Sequence, residues 1–79
     1  MKPVYSLLLR HTAAAAVEYD GGIYKIFRRT DDCRLDLGEN RGDDRWVWIA
    51  RDPSGAIVDD GWSSSLASAL DVVDRWSRQ

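Results

Sequence analysis

The sequence predicts an α+β domain in which a small antiparallel sheet of three to five strands is packed by one C-terminal amphipathic helix. Two observations support this fold: short β-prone segments alternate with turn clusters up to residue 60, and a helical apolar stripe follows them. A chain of 79 residues has the length of one domain. We therefore treat residues 1–79 as a single domain.

The first β-prone segment is the apolar run Val4 to Leu9, which is predicted as a strand that begins after Pro3. A short helical turn is predicted after Thr12, and one helix from Val4 to Val17 is the alternative. The run is shorter than the roughly 7–15 apolar residues of a signal peptide or the ~20 of a membrane span. We therefore expect a cytoplasmic protein without a membrane segment.

The next segments read as three further β-strands. A cluster typical of a hairpin turn, Asp20-Gly21-Gly22, separates two of them, Val17 to Tyr19 and Ile23 to Arg29. Arg34 to Leu37 alternates polar and apolar residues, as a half-buried strand does. The following stretch, Gly38 to Asp44, is predicted to be a polar loop.

Arg45 to Arg51 carries apolar side chains at both odd and even positions, which predicts a central strand with two covered faces. Asp52-Pro53-Ser54-Gly55 matches a type I turn. Ala56 to Asp59 is then the predicted hairpin partner.

The C-terminal helix begins at one of the three serines that follow Trp62 and extends to about Trp76. Its apolar stripe has helical spacing, and its other side is polar. The stripe consists of Leu66, Ala69, Leu70, Val73 and Trp76, with Val72 at its margin.

Composition argues against catalysis and against a basic nucleic-acid footprint. Eleven Lys and Arg face thirteen Asp and Glu, so the formal net charge is −2. His11 is the only histidine, and Cys33 is the only cysteine. Without a partner base or a ligand series, neither predicts a catalytic or metal site, so we expect a protein that is not an enzyme and has no cofactor. A single cysteine also fits a reducing compartment.

A protein-binding module is the function that these features favour. Paired aspartates in predicted turns provide negative charge for a basic partner. Four of the eight aromatic residues are tryptophans, which anchor protein interfaces where they are exposed; the alternative is that these large rings fill the small core. The predicted partner-binding residues are Asp43, Asp44, Asp59 and Asp60, with Arg45 and Trp48 as neighbours.

A single-strand nucleic-acid binder is the alternative. Sheet aromatics flanked by arginines stack on bases and contact phosphates in such proteins. The residues for this role are Tyr24, Arg28, Arg29 and Trp46. The acidic net charge makes direct contact with nucleic acid the weaker hypothesis.

A turn at Asp52-Pro53-Ser54-Gly55 is followed by a strand that reaches Gly61, and then by Ser63 and a helix with Ala67, Ala69 and Leu70. This succession resembles the second half of HicB-type antitoxin domains. The interval between the two glycines is one residue longer than in that pattern, and the helix opens with Ser-Leu-Ala-Ser instead of an acidic pair. The resemblance covers about a third of the chain. It implies an antitoxin-like partner of a toxin.

In length, acidity and lack of catalytic motifs the chain is also similar to anti-CRISPR proteins, the small inhibitors that phages and mobile elements encode. No motif carries this similarity, and it assigns a role to no residue. It implies a stoichiometric inhibitor that covers a surface of a host defence complex or another nucleic-acid-handling complex.

Overall fold

The computed structural model describes residues 16–40 and 42–79. Within them a five-stranded antiparallel sheet in the order β1-β2-β3-β4-β5 is followed by one C-terminal helix. The elements are β1 (Ala16–Asp20), β2 (Ile23–Phe27), β3 (Arg34–Asn40), β4 (Arg45–Arg51), β5 (Ile57–Ser63) and α1 (Leu66–Ser77). The predicted α+β fold is confirmed. The strand predicted from Val4 to Leu9 lies outside the described residues, as do positions 4–15 of the alternative helix. That helix is wrong at its end, because Ala16 and Val17 belong to β1.

Two of the connections between strands are short turns whose residues allow the backbone to reverse. Gly21 and Gly22 both have positive φ, which the hairpin between β1 and β2 requires. Between β4 and β5 the Gly55 N–H donates to the Asp52 carbonyl at 2.9 Å, which closes the predicted type I turn. The Asp52 carboxylate accepts from the Ser54 hydroxyl at 2.6 Å, and this hydrogen bond lowers the pKa of Asp52.

Two strands are longer than the sequence pattern predicted. The predicted loop from Gly38 is wrong for its first three residues, because Gly38, Glu39 and Asn40 pair with the first residues of β4. β5 likewise runs past Asp59 to Ser63, since six residues of β4, Trp46 to Arg51, pair with it. Its extension places Trp62 within the sheet and not in a connection to the helix.

The core lies between α1 and one face of the sheet. Alternate strand residues point to α1 and are buried with its apolar stripe, as the side-chain period of two requires. The sheet contributes Val17, Tyr24, Ile26, Leu35, Leu37, Trp48 and Ala50, and α1 contributes Ala69, Leu70, Val73 and Trp76. We call the face of the sheet turned away from α1 the outer face.

Helix α1 begins at Ser65, one of the three serines predicted to cap it. The Ser65 hydroxyl accepts a hydrogen bond from the Ser68 backbone N–H at 3.2 Å, which satisfies one of the N–H groups without a partner in the first turn.

Ser65→Ala is expected to lower the free energy of unfolding by about 1 kcal/mol, because it removes this capping acceptor. Urea denaturation followed by circular dichroism measures the loss, and Ser64→Ala at the neighbouring exposed serine is the control. An equal effect of the two substitutions would contradict the capping role.

Candidate functional site

An apolar row crosses the outer face of the sheet from β2 to β5. The strand register places Ile23 opposite Gly38, Gly38 opposite Val47, and Val47 opposite Trp62. Side chains that are directly opposite on one face have Cβ atoms about 5 Å apart, so these residues are neighbours across four strands. Ile23 is 43% exposed and Trp62 is 55% exposed. We call Ile23, Gly38, Val47 and Trp62 the apolar row.

Gly38 leaves a depression in the middle of this row. The depression has a volume of about 620 Å³, and its walls include Ile23, Asp36, Val47 and Ile49. A Cβ atom at position 38 would have its closest contacts, both at 3.9 Å, with the Gly22 carbonyl oxygen and Ile23 Cγ1. Those are ordinary van der Waals distances, so the missing side chain is what opens the depression. An apolar side chain of another molecule fits a recess of this kind.

At the β5 end of the row, the Trp62 ring is held by a cation. The Arg45 guanidinium lies over the ring, 4.1 Å from its centroid, and Arg45 Nε is 3.3 Å from Oδ2 of Asp43. The cation–π contact and the ion pair both restrict the motion of the Arg45 side chain, and the first also restricts the Trp62 ring. A second depression of about 330 Å³ lies beside this stack and shares Asn40, Val47 and Ile49 with the first. The two form a continuous concave surface.

The rim of this surface is negatively charged. Asp43 and Asp60, which come from two different acidic pairs, both line the second depression. Asp44 follows in a turn with a φ of +56°. Asp59 precedes Asp60 on the edge strand and is opposite the buried Ala50, so it is placed on the α1 side of the edge and not in the outer face. Among residues 16–40 and 42–79, no Lys or Arg nitrogen lies within 4.0 Å of the carboxylates of Asp44, Asp59 or Asp60. Within that part of the chain, therefore, no ion pair compensates these three carboxylates.

The structure brings together most of the six residues predicted to bind a partner. Asp43, Arg45 and Asp60 line one depression, while Asp44 and Asp59 lie on the adjoining turn and edge. Trp48 also borders that depression, but it is only 9% exposed and its ring packs in the core against Gly61. The exposed tryptophan of this surface is Trp62, which the sequence reasoning did not select.

The residues of the nucleic-acid hypothesis do not form an exposed stacking surface. Tyr24 is 5% exposed and belongs to the hydrophobic core, and the partly buried Trp46 packs against this core. Burial raises the pKa of the Tyr24 hydroxyl. Arg28 is also buried and bonds with both Asp31 and the Trp76 carbonyl. Only Arg29 of the four is exposed.

Other chemistry is sparse in the part of the chain that the structure describes. No three His, Cys, Asp or Glu residues in it are grouped so that they could hold a metal ion. Cys33 is buried, and this burial raises the pKa of its thiol, which opposes formation of the nucleophilic thiolate. None of the described helices is long and apolar enough to cross a membrane.

Comparison of this chain with protein-family models, curated proteins and solved structures found no match. The observations that define the site are the exposed Trp62 under Arg45, the depression at Gly38 and the acidic rim.

Proposed function

We propose that this chain is a protein-binding module that contacts its partner through the outer face of the sheet. The observation that carries the proposal is the alignment of an exposed Trp62, held by Arg45, with the depression at Gly38. Tryptophan and arginine dominate binding energy at protein interfaces, and they do so where they lie beside a recess that excludes water. The proposed role requires binding alone and no catalytic step.

The Arg45–Trp62 stack favours binding because both side chains are already restrained in the free protein. Association costs about 0.5–1.5 kcal/mol for each flexible side chain that becomes immobilised. Arg45 is held from two sides, by the Trp62 ring and by the Asp43 carboxylate. A partner that packs on this stack therefore recovers more of its contact energy as affinity.

Charge indicates which kind of protein surface is complementary. Asp60 and Asp44 at the rim, together with Asp59 along the β5 edge, repel an acidic surface and attract a basic one. Surfaces that bind nucleic acid are basic because they neutralise phosphates. We therefore propose a stoichiometric inhibitor that covers such a surface on a nucleic-acid-handling complex, in the manner of the anti-CRISPR proteins, and that acts in the cytoplasm.

Gly38→Val is expected to weaken partner binding at least about tenfold, because the isopropyl group occupies the middle of the depression that the partner enters. Stability should hold or rise slightly, since valine suits a strand and glycine does not. The tagged protein is used to isolate its partner, the partner is identified and purified, and titration calorimetry then gives the affinity and the stoichiometry. Trp62→Ala is the second variant.

The matched control is Ala67→Val, which also replaces a small residue by valine, at an exposed position of α1. It should leave the affinity unchanged. Unchanged affinity in both Gly38→Val and Trp62→Ala would refute the proposed surface. If the isolated partner is an oligonucleotide whose binding falls steeply with salt, the nucleic-acid alternative replaces the proposal. A toxin as the partner would favour the antitoxin role.

A further inference from the structure

Strand β5 forms one edge of the five-stranded sheet, and its outward side is exposed. The first four residues of β5, Ile57 to Asp60, are all exposed. The apolar residues Ile57 and Val58 are each more than half exposed to solvent. The edge is seven residues long and contains neither Lys nor Pro, two residues that protect edge strands from pairing. Its register with β4 is irregular beside Val58 and regular from Asp59 to Ser63, so the regular part is the template. A strand of this length with exposed apolar side chains is a template for a further strand.

The hydrogen bonds of Asp60 show which backbone groups point outward. Its N–H donates to the Asp59 carboxylate at 2.9 Å and not to β4. In an antiparallel pair, alternate residues direct both backbone groups to the neighbouring strand, and the residues between direct theirs away. Trp62, two residues further, therefore directs its N–H and carbonyl to the same open side as Asp60.

A second copy of this chain is a poor occupant of the edge. Antiparallel pairing of two β5 strands about Asp60 would place Asp59 and Asp60 of one copy beside those of the other. Like charges directly opposite on neighbouring strands destabilise a sheet. A strand that carries Lys or Arg at alternate positions has the complementary charge.

We propose that the β5 edge binds an extended, basic segment of the partner as a sixth strand of the sheet. This inference rests on the proposed protein-binding function and specifies how the partner is held. A carbonyl of the incoming strand accepts the Asp60 N–H, and a Lys or Arg of the same strand pairs with the Asp59 carboxylate that is displaced. Every polar group released by the exchange thereby gains a new partner.

The probe is a short synthetic peptide that alternates lysine with valine or threonine, and its binding is followed by amide hydrogen exchange of the intact protein. We expect saturable binding and at least about tenfold slower exchange at the Asp60 and Trp62 amides, since both N–H groups enter a ladder. The same peptide with N-methyl groups at alternate positions should bind about tenfold more weakly, because it lacks ladder donors. Equal binding of both peptides would overturn strand addition.

The matched variants are Asp60→Ser and Asp60→Pro. Both remove the carboxylate, but only proline removes the outward N–H, and no hydrogen bond to β4 is lost because this group donates to Asp59. We expect the proline variant to bind the peptide at least about tenfold more weakly than the serine variant. Thermal unfolding checks that both variants fold. If proline unfolds the chain, the N-methylated peptide on the native protein decides the question.

The purified partner separates this inference from the function on which it rests. Strand addition is wrong if Gly38→Val abolishes partner binding while Asp60→Pro and Asp60→Ser bind the partner with equal affinity. In that case the outer face alone is the binding site. If no protein partner depends on Gly38 or Trp62, the proposed function is wrong. Sedimentation tests whether a second copy of the chain occupies the edge. A native protein that is a dimer, with an Asp60→Pro variant that is a monomer, would also overturn the inference.

Discussion

Gly61→Ala is expected to lower the free energy of unfolding by about 3 kcal/mol, a large part of the stability of a domain this small. A Cβ atom at position 61 would lie 2.5 Å from Cζ2 and 2.8 Å from Cε2 of Trp48. Trp48 cannot move aside easily, because its ring is buried in the core beneath α1. Chemical denaturation in urea measures the difference from the native protein.

Gly38→Ala is the control, since it adds the same methyl group to a strand where the closest atoms are 3.9 Å away. It should be neutral or slightly stabilising. A second test is Trp48→Phe in the Gly61→Ala background, because the smaller ring lacks the atoms that the new methyl group meets. The loss in the double variant should be smaller than the sum of the two single losses. Additive losses would show that Gly61 is not required by the Trp48 ring.

Helix α1 was predictable because its signals are local. The apolar stripe, the capping serine and the polar side are all present in one continuous stretch, and the structure confirms them. The hairpin turns at Gly21-Gly22 and at Asp52 to Gly55 were predictable for the same reason. In each of them, a few neighbouring residues determine the backbone conformation.

The ends of β3 and β5 were not predictable because they depend on a partner strand. Gly38, Glu39 and Asn40 have a loop-like composition, yet they form a strand because β4 supplies the backbone groups that pair with them. β5 contains Asp59, Asp60 and Gly61, which are poor strand formers, and it is likewise held by pairing with β4.

The candidate surface was predictable in its charge but not in its shape. Asp43, Asp44 and Arg45 could be selected from sequence, because turns and strand ends are exposed. Asp59 and Asp60 are exposed for a different reason, since they lie inside β5 at the edge of the sheet. Which tryptophan is exposed depends on strand register. Gly61 opposite Trp48 makes room for that ring in the core, whereas Val47 opposite Trp62 leaves the second ring on the outer face. The depression at Gly38 depends on the same register.

Arg28→Met is expected to lower the free energy of unfolding by about 2–3 kcal/mol, because hydrogen bonds to a buried charged group are among the strongest in a protein. Arg28 donates to the Trp76 carbonyl at 2.9 Å and to both carboxylate oxygens of Asp31 at 2.9 and 2.6 Å. Its guanidinium also lies 4.5 Å from the centroid of the Trp76 ring. These contacts tie the loop after β2 to the last turn of α1. Methionine keeps the apolar contact but none of the hydrogen bonds.

This loss of stability should depend on pH in a direction that the Asp31 carboxylate determines. Hydrogen bonds from Arg28, and then from the Cys33 backbone N–H, hold the pKa of Asp31 well below its ordinary value of about 4. In the unfolded chain Asp31 takes up a proton as the pH falls through 4, whereas in the folded protein it stays ionised. The stabilisation is therefore complete at about pH 5 to 7 and is progressively lost at lower pH.

Urea denaturation of the native protein and Arg28→Met at pH 7, 5 and 3 tests this dependence. The difference in unfolding free energy between the two should be the same at pH 7 and 5 and smaller at pH 3, where protonation of the unfolded chain competes with the ion pair. Asp31→Asn is the control for the carboxylate, because its amide does not titrate and its difference from the native protein should shrink over the same range. A difference for Arg28→Met that stays constant down to pH 3 would mean that the Trp76 contacts, and not the ion pair, account for the role of Arg28.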